Sequence, residues 1–200
     1  VTQAILPLRG KILNVISATK DKINANQEII DLIQAIGCKR GDKYSSKELR
    51  YEKIIVMTDA DVDGAHISTL IMSFFYSEYP KLIEDGHLYL AVPPLYKISK
   101  GPKVFYATDD KDKDRLIKSE FKNSQNVDIS RFKGLGEMMP AQLKETTMSP
   151  ENRVLLKVEI IKSDKKKTEK SVEALMGKKP ELRFKFIQEN SKKASAETVL

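Results

Sequence analysis

The 200-residue chain has one cysteine, Cys38, two histidines and no tryptophan. A lone thiol excludes a disulfide framework and fits a reducing compartment, so the expectation is a cytoplasmic protein held together by its core. Two histidines are too few for a histidine-rich metal site. No apolar run reaches the roughly 20 residues that span a bilayer, and the opening Val1 to Pro7 stretch has neither a basic leader nor a cleavage site, so no membrane is expected. There is no G-x-x-x-x-G-K-[ST] and no dinucleotide fingerprint among the nine glycines, which leaves ATP hydrolysis by a phosphate-binding loop unsupported. No internal repeat is visible.

What is present is an ordinary foldable composition, 40% hydrophobic and 32% charged, enough for one substantial domain or a domain with a smaller appendage. Basic residues outnumber acidic ones 35 to 28, and the net charge of +7 favours an anionic partner. Runs such as Lys165-Lys166-Lys167 are in themselves solvated faces.

One stretch organises the chain. The apolar run Ile54-Ile55-Val56-Met57 leads through Thr58 into Asp59-Ala60-Asp61-Val62-Asp63-Gly64, and Ile67, Leu70, Ile71 and Phe74 follow at helical spacing. This predicts a buried parallel strand, a carboxylate loop at its C-terminal end and a helix leading away, which is where open α/β sheets place their chemistry. Three carboxylates within five residues repel; at ~5 Å and an effective dielectric of ~20 each pair costs roughly 3 kcal/mol, so a cation between them is expected. Oxygen-only donors point to Mg²⁺, with Mn²⁺ or Ca²⁺ as substitutes. His66 is expected to pack or hydrogen-bond beside the loop, supporting the ligands rather than binding the ion.

Two plainer readings compete. An EF-hand loop also begins D-x-D-x-D-G, but its twelfth position should be Glu and here is Leu70, and a strand former precedes it. Alternatively one acid, Asp63, serves as a helix cap or first-turn residue. All three acids serving in that way is a poor account of the cluster.

Upstream, Ile5, Leu6 and Leu8 predict a short strand ended by a turn at Gly10, with Arg9 and Lys11 placed to grip a phosphate. Asn26 to Ile36 predicts a helix with an apolar stripe and Gly37 as its stop. Cys38 to Leu49 reads as a loop. Downstream, Asp85-Gly86 is a turn, His87 to Val92 a strand, and Pro93-Pro94 a break. Leu95 to Ile98 and Val104 to Ala107 form a hairpin, and Thr108 caps a helix running to about Phe121. A second informative stretch is Arg131-Phe132-Lys133-Gly134-Leu135-Gly136-Glu137-Met138, where glycines permitting positive φ and close backbone approach, together with two cations, suggest a phosphate-contacting loop. Spacing alone allows equally a tight turn before a helix started by Pro140. Asn152 to Ile161 is extended, Thr168 to Met176 and Pro180 to Gln188 are helices, and the last ten residues fray.

At these residues the chain resembles a known family. Asp59 to Ile67, Pro93-Pro94-Leu95-Tyr96, Arg131 to Met138 and Glu145-Thr146-Thr147-Met148 are similar to the B subunits of bacterial type IIA DNA topoisomerases, nearly end to end and in order. The resemblance implies an α/β fold: a Rossmann-like parallel sheet of the Toprim type over residues 1–94, lacking its first strand, then a smaller α+β C-terminal tail over 95–200. The short connection from Tyr96 to Arg131 and the Arg-Phe before Lys133 are more similar to topoisomerase IV than to gyrase.

The implied reaction is Mg²⁺-assisted cleavage and religation of double-stranded DNA by a tyrosine of the A subunit of topoisomerase IV or gyrase, within an A2B2 heterotetramer in the bacterial cytoplasm, on the nucleoid. Asp59 would hold the catalytic ion, Asp61 a second or shared one, and Asp63 would be a ligand or shape the loop. Arg9, Lys11, Arg131 and Lys133 would lie along the DNA. One departure is serious. The family's Glu-Gly-Asp-Ser-Ala-Gly-Gly motif, which supplies the catalytic acid, has no counterpart here, because Glu28, Glu48 and Glu52 lack its glycine-rich setting. No catalytic residue is therefore assigned, ATP is expected to bind the parent protein and not this chain, and the chain alone is expected not to cleave DNA. A calcium-binding regulatory module and a non-catalytic nucleic-acid-binding domain are the readings from other classes.

Overall fold

The structure is a computed structural model that describes residues 2–122, 124 and 126–197. The chain divides into two compact units, one formed by Val1–Glu52, Thr69–His87 and Glu159–Leu200, the other by Lys53–Ser68 and Leu88–Val158.

The first unit is helical. Helix α1 (Lys20–Ala25) precedes α2 (Gln27–Ile36), whose start is set by Asn26, its side chain accepting the Ile29 N–H at 3.1 Å, and whose end is set by Gly37 at φ 82°. The expected stripe is the buried one, with Ile29, Leu32 and Ile36 inside. The C-terminal part of α3 (Val62–Glu78) and the short α4 (Pro80–Glu84) supply the densest packing. Phe74, Phe75, Tyr79 and Leu82 are fully buried, the Phe74 and Phe75 rings meet edge to face at 5.2 Å, and the Tyr79 hydroxyl donates to the Cys38 carbonyl at 3.1 Å. Helices α7 (Lys165–Met176) and α8 (Pro180–Glu197) complete the unit.

Two expectations fail here. The Ile5 to Leu8 segment is not a strand: no strand pairs with it among the described residues, and Ile5 and Leu6 are exposed. An apolar extended run without a ladder partner has nothing to hold it in a sheet, although the turn at Gly10 is present at φ 85°. The last helix does not stop near Gln188 but continues to Glu197, and 198–200 of the end expected to fray lie outside the described residues.

The second unit holds both sheets. Strand β1 (Ile54–Val56) pairs in parallel with β2 (Leu88–Val92), Ile54 opposite Leu88 and Val56 opposite Leu90. On the other side of β2 lies β6 (Val154–Lys157), antiparallel, so the sheet is mixed rather than wholly parallel. The second sheet has the order β4-β3-β5, from β3 (Tyr96–Lys100), β4 (Lys103–Ala107) and β5 (Asp128–Arg131). The expected hairpin is β3–β4. Its core is Tyr96, Ile98, Ala107, Leu116 and Phe121, the last two from α5 (Asp110–Phe121). The cap of α5 is Asp109, not Thr108: the Asp109 carboxylate accepts the Asp112 N–H at 2.7 Å, a stronger acceptor than a hydroxyl one position earlier. The remaining helix, α6 (Pro140–Leu143), starts at Pro140 and runs into a π-helical turn over Lys144–Met148. Helices together with a sheet that carries a parallel pair make the chain α/β, as expected.

Candidate functional site

Strand β1 delivers the chain to Asp59 at its C-terminal end, and α3 begins three residues later. The connection is pinned at both ends. The Thr58 and Ser68 hydroxyl oxygens lie 2.7 Å apart, and Ser68 donates to the Gly64 carbonyl at 3.0 Å. Asp61 is the helix cap: its carboxylate accepts the Gly64 N–H at 2.7 Å and its carbonyl accepts the Ala65 N–H at 3.0 Å. Asp63 stands in the first turn, where a negative charge faces the positive end of the helix. One acid does cap the helix, Asp61, while Asp63 takes the first-turn place that was its other expected role. Gly64 has no freedom to be anything larger, since a Cβ there would lie 2.0 Å from the Asp59 carbonyl oxygen.

The carboxylate of Asp59 turns away from the cap. It accepts the backbone N–H of Leu135 at 2.7 Å, and a Cβ on Gly134 would stand 3.1 Å from its Oδ1. The turn it meets is wired to itself: Lys133 N–H donates to Glu137 Oε2 at 2.7 Å, Glu137 N–H to the Gly134 carbonyl at 3.2 Å, and Met138 N–H to the Leu135 carbonyl at 3.2 Å. Phe132 and Met138, both buried, anchor its two ends. Of the two expected reasons for glycine, close approach holds at Gly134 and positive φ does not. Gly134 has φ −160°, extended backbone open to any residue, and Gly136 is outside the positive-φ set as well. Gly134 is small because Asp59 packs on it. Sequence reasoning missed this contact, whose signal was the G-L-G-E spacing.

Asp59, Asp61 and Asp63 are all exposed, and among the described residues no three His, Cys, Asp or Glu side chains gather as a metal cage would require. Asp59 and Asp61 have each spent one carboxylate oxygen on a backbone N–H. The EF-hand reading ends here as well, because β1 precedes the loop and the twelfth residue, Leu70, is 4% exposed in the core. A small hard cation that keeps its waters and takes one or two carboxylates plus phosphate oxygens makes a lighter demand, and the donor set fits that demand.

Of the other residues singled out, Lys133 and Arg131 are exposed on the segment that carries the turn. The Arg131 guanidinium lies 6.0 Å from the centre of the Tyr96 ring. Below it, Asp110 receives the Lys113 ammonium at 2.6 Å and the Tyr96 hydroxyl at 2.9 Å, and those bonds, Lys113 first, hold its carboxyl below the ordinary range. Arg9 and Lys11 flank Gly10 in the helical unit and are exposed. His66 is exposed on α3, with no side-chain hydrogen bond to the loop among the described residues. The inward face of α3 is taken by Leu70, Ile71, Phe74 and Phe75, and His66 falls outside that stripe.

A carboxylate loop at the end of a parallel strand is the pattern that comparison with known families resolves. Residues 1–93 match the Toprim domain, a metal-dependent module in type II topoisomerases, and residues 124–188 match the carboxyl terminus of the DNA gyrase B subunit. Similarity to individual proteins is high. The B subunit of DNA topoisomerase 4 from Bartonella bacilliformis is 60% identical over 189 residues, 94% of this chain and 27% of that protein. Its namesake from Caulobacter vibrioides is 56% identical over 195 residues, 98% of this chain and 28% of that protein. The B subunit of DNA gyrase from Clostridium acetobutylicum is 50% identical over 191 residues, 96% of this chain and 30% of that protein. The chain belongs to the family of bacterial type IIA DNA topoisomerase B subunits, nearer to the topoisomerase 4 branch than to gyrase, and spans less than a third of the length of these relatives.

Proposed function

We propose that this chain is the metal-binding and tail region of a topoisomerase IV B subunit, with residues 1–94 as the Toprim domain and 95–200 as the tail. Bound to double-stranded DNA in the bacterial cytoplasm, on the nucleoid, it assists cleavage and religation by the tyrosine of an A subunit in an A2B2 assembly. The observation that carries this reading is the Asp59 to Asp63 loop at the end of β1, joined through Asp59 to the turn that bears Lys133.

Asp59 and Asp61 would hold Mg²⁺, each with the oxygen not already bonded to backbone, and Asp63 would add negative charge beside them. The ion supplies Lewis acidity toward phosphate oxygens and the departing 3′ oxygen. The chain's own side chains do the rest. Lys133 meets the phosphate backbone from the turn and Arg131 from the end of β5, Arg9 and Lys11 do so from the helical unit, and the loop stays rigid because Asp61 caps α3 while Thr58 and Ser68 tie its ends. ATP belongs to the full-length parent protein.

The test uses the full-length B subunit with its A subunit, supercoiled plasmid and Mg²⁺. Asp59→Ala is expected to reduce DNA cleavage by about 10²-fold or more, the scale of losing one transition-state charge contact. Unchanged cleavage in that variant would remove the loop from the chemistry.

A further inference from the structure

The contact between Asp59 and the Gly134-Leu135 turn joins residues 76 positions apart, and it is built from both sides. The donor is a backbone N–H, which no rotamer change can withdraw. The turn presenting it is held closed by the Lys133 N–H to Glu137 carboxylate bond and by two further backbone bonds, and its flanks are fixed by buried Phe132 and Met138. The acceptor side is constrained as well: Asp59 follows β1 by three residues, and Gly64 closes against its carbonyl. An exposed aspartate ordinarily samples several rotamers, whereas this one is held on a backbone donor.

We propose that the Gly134-Leu135 turn is the positioning element for Asp59, holding Oδ1 so that the second oxygen is presented to a divalent cation in one orientation, with Gly134 lacking a side chain so that the carboxylate can seat. The proposal rests on the reading that Asp59 is a metal ligand and deepens it. Its consequence is mechanical. Lys133 sits two residues from the contact, so the cation that meets phosphate and the carboxylate that meets metal are set by one short piece of chain. Groups that orient a metal ligand in this way change metal affinity by about 10- to 100-fold when removed.

Two measurements on the intact 200-residue chain test it. The first needs no metal: amide hydrogen exchange followed by NMR. The Leu135 amide is expected to be protected in the native chain and to lose at least about tenfold of that protection in Asp59→Ala; equal exchange in the two would overturn the proposal whatever the metal does. The second is Mn²⁺ titration followed by electron paramagnetic resonance. Gly134→Ala, whose added methyl meets the Asp59 carboxylate at 3.1 Å, is expected to weaken Mn²⁺ binding by about tenfold or more. Gly136→Ala is the control, because a Cβ there has nothing within 4 Å, and it should bind within about twofold of the native chain. Native affinity in Gly134→Ala overturns the positioning role. Mn²⁺ binding indifferent to Asp59→Ala overturns the metal reading, and with it the purpose assigned to the turn.

Discussion

Replacing Gly64 by alanine sets two known effects against each other, and the sign of the outcome reports whether the loop is built as described. Gly64 is the third residue of α3, where alanine is intrinsically favoured over glycine by about 1 kcal/mol. Against this stands the approach of the Asp59 backbone. The new Cβ would lie 2.0 Å from the Asp59 carbonyl oxygen, 2.8 Å from its carbonyl carbon and 3.0 Å from its nitrogen, all backbone atoms that cannot swing aside as a side chain would. Relief requires the end of β1 and the start of α3 to part by more than an ångström, which strains the Asp61 cap and moves Asp59 off the Leu135 amide. Overpacking of this kind costs about 1–3 kcal/mol and sometimes more; taking about 3 and subtracting the propensity gain leaves a net loss near 2 kcal/mol. For a chain of this size that lowers Tm by about 4–8 °C. The assay is a thermal melt by circular dichroism, with the Mn²⁺ titration run alongside and expected to weaken. A melting temperature that rises would show that propensity alone acts at this position and would refute the close approach.

Two further outcomes follow from the packing and the charges. Phe75→Ala removes a fully buried ring and should cost about 3–5 kcal/mol in urea unfolding, whereas Phe184→Ala, at 62% exposed, should stay within about 0.5 kcal/mol; similar losses in both would contradict the assigned core. Asp110 has its carboxyl pKa lowered from 3.8 by Lys113 and then Tyr96, so its contribution to stability is present above that ordinary value and is lost as pH falls through the lower folded one. The urea midpoint of Asp110→Asn should therefore lie below that of the native chain at pH 7 and converge with it in acid, and a gap that stays constant with pH would exclude this carboxylate as its source.

The elements around the acidic loop were legible in the sequence more fully than the contacts they make. An apolar run ending in alternate carboxylates and then a helical stripe determined β1, the loop and α3, because burial periodicity and turn chemistry act within a few residues. The same local logic determined α2 with its Asn26 and Gly37 ends, the β3–β4 hairpin and the α/β class, and the order of the quoted motifs determined the family. Only the tertiary structure decided what each acid does. Asp61 and Asp63 resemble one another as letters, but the cap falls to Asp61 because α3 starts at Val62. The role of Gly134 could not be read locally, since its reason is a carboxylate 75 positions earlier in the chain. Similarly, Ile5 to Leu8 has the composition of a strand and no strand to pair with among the described residues, while His66 sits beside the loop in sequence and is exposed on its helix. Local propensity chooses an element from its own residues; hydrogen-bond partners and close approaches belong to pairs of distant segments, and folding alone brings those together.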